Sequence, residues 1–450
     1  MRRVAILTCL LIVAAPAWGY LRVHPDNPHY FQESTTGAPV MIASCAGVVP
    51  TSFACSYGAQ IAEMRAKHIT YGRVWHLLPW DVKAKVVWPW ARSKVPGAHM
   101  GGRGGNKFDF NTWDPEYWHR IRDSMSRCNA AGIYCEIHLF ERCGMSPAAE
   151  SRWGNNPWAS DNNINDLETP DSSKDGTPDF YMYADKPNLR RQQERYVRKM
   201  IDETIKFPNM IYEIENEHWQ YNNPDWAAYW GRFVKDYIAR KSPRSPRLVS
   251  YSSLEDDMEA FYDRTEVDII NRHFGNEAER NPDVINTYIE PRWAKSKPIN
   301  IDEFANGVDD LALLRRMCWV IVTSGGNFHI EDCKPEAKPF DICENIRRFR
   351  VESKWDFVHS APNKQILRSA QNDGADGYCM ADPGKEYVSY FPKGGSATIK
   401  LEPGNYIARW WNTTKGGFSE PTAFSHKEGQ RSFTTPDEGD WVLHTAKWEG

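Results

Sequence analysis

Residues 212–219, YEIENEHW, place three glutamates at alternate positions of one short apolar run. In a β-strand alternate side chains share a face, so Glu213, Glu215 and Glu217 would lie together. Three like charges on a buried face repel each other and are costly to remove from water. The spacing therefore indicates either a solvated edge strand or a buried strand that keeps at least one carboxyl for chemistry. Glu303, near the end of INIDEF, is a further candidate for acid, base or nucleophile.

Short apolar runs alternate with amphipathic helical patterns from about residue 40 to 350. Because each run is mostly apolar and is followed by a helical pattern, the alternation predicts parallel β/α units. At this length a closed (β/α)8 TIM barrel is the favoured architecture, and an open doubly wound sheet is the alternative. The predicted strands are VMIASCAG (40–47), ITYGRVWHL (69–77), IYCEIHLF (133–140), MIYEIENE (210–217), RLVSYSS (247–253), VDIINRHF (267–274), INIDEF (299–304) and GNFHIED (326–332).

Helix starts are marked by residues that cap the free backbone N–H groups of a first turn. A proline at the first helical position strengthens the signal, since its missing N–H group would have no partner there. The predicted starts are Asp114-Pro115, Asn223-Pro224, Asn281-Pro282 and Asp309-Asp310.

The pattern changes beyond about residue 360. Short alternating strands follow one another, separated by Pro-Gly, Gly-Gly and Asn-Asp turns and without a helical stretch. This arrangement is typical of an all-β sandwich. The sequence therefore predicts a barrel domain over residues 20–360 and a smaller β-sandwich domain over residues 361–450.

In such barrels the catalytic groups lie at the C-terminal ends of the strands. Two glutamates at the mouth of one barrel are the arrangement that hydrolyses glycosidic bonds. At the separation of roughly 5–5.5 Å found in retaining enzymes, two carboxylates repel by about 3 kcal/mol at an effective dielectric constant near 20. One of them should therefore stay protonated near neutral pH and serve as the acid. The polar or aromatic residues at the predicted strand ends are Arg73, Trp75, His138, Asn216, Glu217, His273 and Glu303.

These strand ends resemble those of the cellulase-like retaining glycosidases of glycoside hydrolase clan A. In that clan an Asn-Glu pair ends the fourth strand and supplies the acid/base, and a second Glu ends the seventh strand and is the nucleophile. The resemblance implies that Glu217 in EIENEH is the acid/base and that Glu303 in INIDEF is the nucleophile. It covers about residues 20–350 and departs at FHIED, which lacks the usual Trp. It also implies substrate binding by Arg73 in GRVWHL, His138 in EIHLF and His273 in NRHF.

We expect Arg73, Trp75, His138 and His273 to line one cavity with the two glutamates. Asn216, beside Glu217, can hydrogen-bond the 2-hydroxyl group of a sugar. Of the two deeper glutamates, one should face the barrel interior and need a partner such as Arg73. A β-bulge would turn the other outward.

The tail, from ADPGKEYVSYF to YIARWWN, resembles a small sandwich domain that is described as collagen-binding and follows apiosidase-like barrels. Because a fold does not imply a function, we expect this domain to support the barrel or to help contact a glycan.

The first 19 residues, MRRVAILTCLLIVAAPAWG, combine two arginines, a short apolar run and Ala15-Pro16-Ala17, a signal peptidase pattern. The run is too short for a retained membrane span, and no other segment approaches membrane length. The sequence thus predicts a signal peptide over residues 1–19 and a secreted or periplasmic mature chain.

Composition excludes several classes of protein. The chain is 41% hydrophobic and 25% charged, so disorder is not indicated. Its net charge of −4 does not indicate the basic surface that binds nucleic acid. Ten cysteines include Cys9 in the leader, which leaves nine; Cys45/Cys55 and Cys333/Cys343 are close enough to pair, but spacing does not decide connectivity. No Cys/His cluster has zinc-site spacing, so we expect no metal and no cofactor.

The leading hypothesis is a secreted retaining glycoside hydrolase that cleaves β-glycosidic bonds in a plant or microbial glycan, with an oligo- or polysaccharide as substrate. The alternative is a non-catalytic glycan- or matrix-binding protein built on a degenerate barrel. The presence of both glutamates favours the enzyme. An open-sheet esterase would need a G-x-S-x-G elbow, and none occurs in the sequence.

Overall fold

The structure, a computed structural model, describes residues 19–79, 85–99, 104–145, 152–174, 176, 186–217, 224–253, 258–275, 277–331, 333–363, 366–368 and 377–448. The predicted signal peptide lies outside the described residues, apart from Gly19.

Eight parallel strands form one sheet in the order β1-β8-β7-β6-β5-β4-β3-β2. Val48, just beyond β1, joins the two ends of this order: its N–H donates to the Arg73 carbonyl at 2.9 Å, and its carbonyl accepts from the Trp75 N–H at 2.9 Å. The sheet therefore closes into the predicted barrel, and the open doubly wound alternative is wrong. The strands are β1 Ala43–Cys45, β2 Tyr71–Val74, β3 Tyr134–Glu141, β4 Met210–Asn216, β5 Val249–Ser253, β6 Ile269–His273, β7 Ile299–Asp302 and β8 Asn327–Ile330.

A helix follows each strand and covers the outside of the barrel. The predicted caps at Asp114, Asn281 and Asp310 are confirmed, since each side chain accepts from a backbone N–H two residues later. Asn223 lies outside the described residues. The helices are α1 Tyr57–Ala66, α2 Pro115–Ala131, α3 Pro187–Thr204, α4 Pro224–Lys241, α5 Glu259–Tyr262, α6 Pro282–Arg292, α7 Leu311–Thr323 and α8 Pro339–Ser353.

Aromatic side chains attach these helices to the barrel. Trp226 and Trp230, one turn apart on α4, are buried with ring centroids 5.3 and 5.0 Å from that of Phe140 on β3. Burial of each such ring stabilises the fold by about 1.5–3 kcal/mol. Within the described ranges, no helix is both long enough and apolar enough to cross a membrane.

A small antiparallel sheet closes the N-terminal end of the barrel. It contains Leu21–Val23, Phe31–Glu33 and Pro39–Val40, and its Leu21 and Phe31 pack with the residues that begin or precede the barrel strands. A hairpin of Trp90–Pro96 and Asn106–Trp113 follows β2. Because the N-terminal end is covered, the polar strand ends meet solvent at the opposite, C-terminal end.

The C-terminal part of the chain forms the predicted sandwich of antiparallel sheets. Its strands are β9 Ala361–Pro362, β10 Ile366–Arg368, β11 Tyr378–Asp382, β12 Glu386–Phe391, β13 Ser396–Leu401, β14 Gly404–Asn412, β15 Thr422–His426, β16 Gly429–Thr434 and β17 Trp441–Lys447. One sheet has the order β9-β11-β12-β17-β14-β15 and the other β10-β13-β16.

The sandwich packs against α7 and α8 rather than hanging from a linker. The rings of Trp319 and Tyr390 stack with centroids 6.0 Å apart, and Trp411 Nε1 donates to Asn345 Oδ1 at 2.8 Å. Apolar residues of both parts form one continuous core. The sandwich therefore braces the outer side of the barrel.

Arg315 on α7 should be a main anchor of this contact. Its guanidinium donates to both carboxylate oxygens of Asp440 at 2.8 and 2.6 Å, and both side chains are about nine-tenths buried. Arg315→Ala leaves the Asp440 carboxylate buried without its partner, so we expect a loss of about 3 kcal/mol in the free energy of unfolding, measured by urea denaturation. The control, Lys334→Ala, breaks an exposed ion pair with Asp309 and should cost less than about 1 kcal/mol. Equal costs would show that the Arg315–Asp440 pair does not anchor the sandwich.

The nine cysteines beyond the leader are free thiols, so neither Cys45/Cys55 nor Cys333/Cys343 forms a disulfide here.

Candidate active site

Glu217 and Glu303 follow β4 and β7 at the C-terminal mouth of the barrel. Both have left-handed backbones, with φ of 54° and 48°. That conformation costs a residue with a Cβ atom on the order of 1 kcal/mol or more, and such strain gathers at functional sites. One carboxylate oxygen of each glutamate and one ring nitrogen of His273 all lie within 4.8 Å of one another. The structure thus brings the two predicted glutamates together.

A cleft of about 750 Å³ opens above these residues. Trp75, Cys143 and Asn216 line it together with the two glutamates. A cleft of this size accommodates a small-molecule or sugar ligand.

Arg73 on β2 is the fully buried cation that organises the site. Its guanidinium donates to Glu303 Oε1 at 2.6 Å, to Glu331 Oε2 at 2.9 Å, to Glu213 Oε2 at 2.7 Å and to Asn216 Oδ1 at 2.7 Å. Asp302 lies 3.7 Å away. One cation thus faces several buried carboxyl groups, more than Arg73 alone could neutralise if all of them were ionised.

Glu213 is the deeper glutamate that pairs with Arg73. Burial raises its pKa to about 8; the Arg73 charge opposes this shift, and the nearby Glu136 and Asp302 add to it. Glu213 and Asn216 both contact Arg73 although three positions separate them. Strict alternation therefore does not hold along the end of β4, and Glu215 is also fully buried.

His273 at the end of β6 is held by its neighbours on both sides. Its Nε2 lies 3.0 Å from Asp302 Oδ1 and 2.8 Å from Ser252 Oγ. Its Nδ1 faces Glu217 Oε1 at 3.7 Å and Glu303 Oε2 at 3.5 Å. Burial lowers the pKa of His273, but the charges of Asp302 and Glu303 outweigh burial and raise the pKa well above 6.5. His273 is therefore a cation near neutral pH.

The two site glutamates titrate as a pair. Burial and the Glu217 charge raise the pKa of Glu303 well above 4.5, against the charges of His273 and Arg73. Burial also raises the pKa of Glu217, but the nearby charge of His273 and the contacts with the Cys143 thiol and with Glu303 outweigh burial and lower it. In the free protein one proton is therefore held between the two carboxyl groups, nearer to Glu303.

Cys143, two residues beyond β3, contacts Glu217 directly. Its thiol donates to Glu217 Oε2, and its backbone N–H donates to Glu141 Oε1 at 2.8 Å. Glu141 in turn accepts from Asn216 Nδ2 at 3.1 Å. Burial and the Glu217 charge raise the pKa of Glu141 well above 4.5. Asn216, predicted to contact sugar, is thus fixed between Arg73 and Glu141.

Trp75 and His138 occupy different levels of the site. The Trp75 Nε1 donates to Glu331 Oε1 at 3.0 Å, which leaves the ring lining the cleft. His138 is fully buried behind it, with ring centroids 5.2 Å from Trp75 and 4.8 Å from the stacked His76. Burial, with His76 and Arg73 nearby, lowers the pKa of His138 well below 6.5, so His138 is neutral. Trp75 and Asn216 line the cleft with the two glutamates. Contrary to the expectation of one shared cavity, Arg73 and His273 are fully buried beside the glutamates, and His138 is buried behind Trp75.

Sequence reasoning missed several members of the site. Asp302 and Glu331 stand at or just beyond the ends of β7 and β8, in segments already identified as strands, so the strand-end rule could have found them. Cys143 and Glu141 flank the end of β3 without any motif. Their roles depend on contacts with β4, which residue spacing does not encode.

The buried carboxyl groups make stability depend on pH. An unfolded Glu titrates near 4.5 and folded Glu213 near 8, so between these values the folded state holds a proton that the unfolded state has released. The stability present below pH 4.5 should therefore be lost as the pH rises toward 8, which urea denaturation across this range measures. Glu213→Gln should reduce the dependence of the free energy of unfolding on pH in this range, whereas the exposed control Glu352→Gln should leave it unchanged. An unchanged slope in Glu213→Gln would contradict the assignment.

A comparison with protein-family models finds no match, and a comparison with curated proteins finds no similar sequence. Solved structures do match. A glycoside hydrolase family 5 protein from Bacteroides vulgatus ATCC 8482 aligns with a TM-score of 0.65 and 13% identity, over 95% of this chain and 93% of that one. A second structure, described as a glycoside hydrolase, has a TM-score of 0.62 and 12% identity, over 95% and 97%. The chain therefore shares its fold with these two structures over most of its length.

Proposed function

We propose that this protein is a retaining glycoside hydrolase that cleaves β-glycosidic bonds in a plant or microbial glycan, after export directed by the N-terminal leader. The observation that carries the proposal is the meeting of Glu217 and Glu303, whose nearest oxygens lie within 4.8 Å at the mouth of the barrel. This closeness favours the retaining range of roughly 5–5.5 Å between carboxyl groups over the 6.5–9.5 Å of inverting enzymes.

In the first step Glu303 attacks the anomeric carbon and Glu217 protonates the leaving oxygen, which forms a glycosyl-enzyme. Arg73 supports the nucleophile, because it donates to Glu303 Oε1 and leaves Oε2 directed toward His273 and the cleft. Asn216, held by Arg73 and Glu141, is placed to hydrogen-bond a hydroxyl group of the same sugar. Trp75 supplies an aromatic face for the ring.

In this step the proton that Glu217 and Glu303 share must be on Glu217. In the free protein the contacts of Glu217 with His273 and Cys143 favour its anion instead. Substrate binding must therefore move the proton from Glu303 to Glu217, and Arg73 helps by stabilising the Glu303 anion that remains. In the second step Glu217, now ionised, takes a proton from the water that hydrolyses the glycosyl-enzyme.

The decisive experiment is a hydrolysis screen over aryl β-glycosides and polysaccharides, in which ¹H NMR follows the anomeric configuration of the first product. Retention is expected, so the β-anomer should appear before mutarotation. Initial release of the α-anomer would identify an inverting enzyme and exclude Glu303 as nucleophile. Oligosaccharide binding without hydrolysis of any substrate would favour the non-catalytic glycan-binding alternative.

A further inference from the structure

His273 Nδ1 is a buried ring nitrogen without a hydrogen-bond partner among the described residues. It faces one oxygen of each glutamate, Glu217 Oε1 at 3.7 Å and Glu303 Oε2 at 3.5 Å. A nitrogen and two carboxylate oxygens that converge on one point are suitable ligands for a borderline transition-metal ion such as Zn²⁺.

The donor separations fit such an ion. In a tetrahedral zinc site with bonds of about 2.0–2.1 Å, ligand atoms lie about 3.3–3.4 Å apart. The two observed nitrogen–oxygen separations, 3.5 and 3.7 Å, differ from this by a few tenths of an ångström, and all three ligand atoms lie within 4.8 Å of one another. Glu217 and Glu303 line the cleft, which gives water access to a fourth position.

The groups behind the three ligands are arranged as in metal sites. His273 Nε2 lies 3.0 Å from Asp302 Oδ1, and a carboxylate on the far nitrogen is the usual support of a metal-bound histidine. The other oxygen of each glutamate is already held, Glu303 Oε1 by Arg73 and Glu217 Oε2 by the Cys143 thiol. All three ligand atoms are thus oriented before an ion arrives, which lowers the entropic cost of binding.

We infer that Glu217, His273 and Glu303 form a binding site for a divalent transition-metal ion, with Zn²⁺ as the best fit, and that the ion inhibits the protein. The ion would replace the proton on His273 Nδ1 and the one shared by the glutamates. Binding does not depend on the proposed function, but inhibition rests on it, because the ion would occupy both the nucleophile and the acid/base. The ion is an inhibitor of the proposed hydrolysis and not a cofactor.

Isothermal titration of the chelator-treated, untagged mature protein with zinc chloride tests the binding. We expect one tight site per chain, weakened about 10- to 100-fold or more in Glu217→Gln and in His273→Gln. His359→Gln removes an exposed histidine paired with Asp356 and should bind like the wild type. Far-ultraviolet circular dichroism and the midpoint of thermal unfolding of each variant establish that it is folded. Equal affinity in the wild type and Glu217→Gln would place the ion elsewhere and overturn the proposal.

Cobalt substitution provides a readout of the ligands. Bound Co²⁺ should show visible d–d absorption without a thiolate charge-transfer band, since no cysteine belongs to the ligand set. A thiolate band would assign the ion to a cysteine and contradict that set.

Hydrolysis measured against zinc concentration separates the two proposals. If zinc inhibits hydrolysis with the affinity seen in the titration, both stand. If zinc binds at this site and no glycoside is hydrolysed, the ion site stands and the proposed function fails. Hydrolysis that proceeds unchanged, or faster, with the site saturated would refute the inhibition.

Discussion

Glu303→Ala should lower kcat by a factor on the order of 10⁴ or more, because no other described group is placed to form the glycosyl-enzyme. The fold should survive, since Arg73 keeps its hydrogen bonds to Glu213, Glu331 and Asn216. Removing a buried acid whose pKa is raised also relieves a desolvation cost. Steady-state kinetics on an aryl glycoside, with the free energy of unfolding measured in parallel, check both parts.

The matched control is Glu331→Gln, which changes another partner of Arg73 without touching either proposed reacting group. It should retain measurable hydrolysis and mainly raise KM, because Glu331 holds Trp75 through the 3.0 Å hydrogen bond to its indole nitrogen. If Glu303→Ala lost activity only in proportion to its unfolded fraction, Glu303 would serve only to stabilise the fold, and its role as nucleophile would be wrong.

Glu217→Ala should behave differently from Glu303→Ala. Substrates with good leaving groups need little protonation, so they should still form the glycosyl-enzyme, and azide should then restore turnover in place of the base-activated water. The glycosyl azide should have the configuration of the substrate, as NMR of the product would show. An azide product of inverted configuration would reassign Glu217 as the nucleophile.

Arg73→Met should destabilise the fold by about 3–5 kcal/mol, the largest stability effect that we expect from a single residue here. Methionine fills similar volume but leaves Glu213, Glu303 and Glu331 without the only guanidinium that hydrogen-bonds them in the described structure. Arg73→Lys should recover part of the loss, since an ammonium keeps the charge but cannot direct donors to all four partners. Urea denaturation near pH 7 measures both.

The pH dependence of the stability loss in Arg73→Met shows whether the lost charge or the lost packing causes it. Without Arg73 the buried carboxyl groups should take up protons more readily, so the deficit should shrink at pH 5 and grow toward pH 8. The exposed control Arg127→Met, which loses a surface pair with Asp123, should cost less than about 1 kcal/mol at either pH. A pH-independent deficit for Arg73→Met would point to packing instead.

Local features of this protein were predictable because short windows of sequence encode them. The apolar runs predicted the barrel strands, and Asp114, Asn281 and Asp310 predicted helix starts, since a capping side chain bonds to N–H groups only two or three residues away. The rule that barrel strand ends carry the site then selected Arg73, Glu217, His273 and Glu303 before any contact was known.

Contacts across the barrel were decided only by the tertiary structure. Glu331 meets Arg73 and Trp75, more than 250 positions away, because closure of the sheet brings β8 close to β2. The thiol of Cys143 reaches Glu217 through the pairing of β3 with β4, and His138 lies behind Trp75 rather than beside the glutamates. Because strict alternation fails near the end of β4, Asn216 and Glu213 both accept hydrogen bonds from Arg73. Sequence patterns determine which residues lie at a strand end, but the protonation of the site depends on distances between side chains of different strands, and these exist only once the barrel has closed.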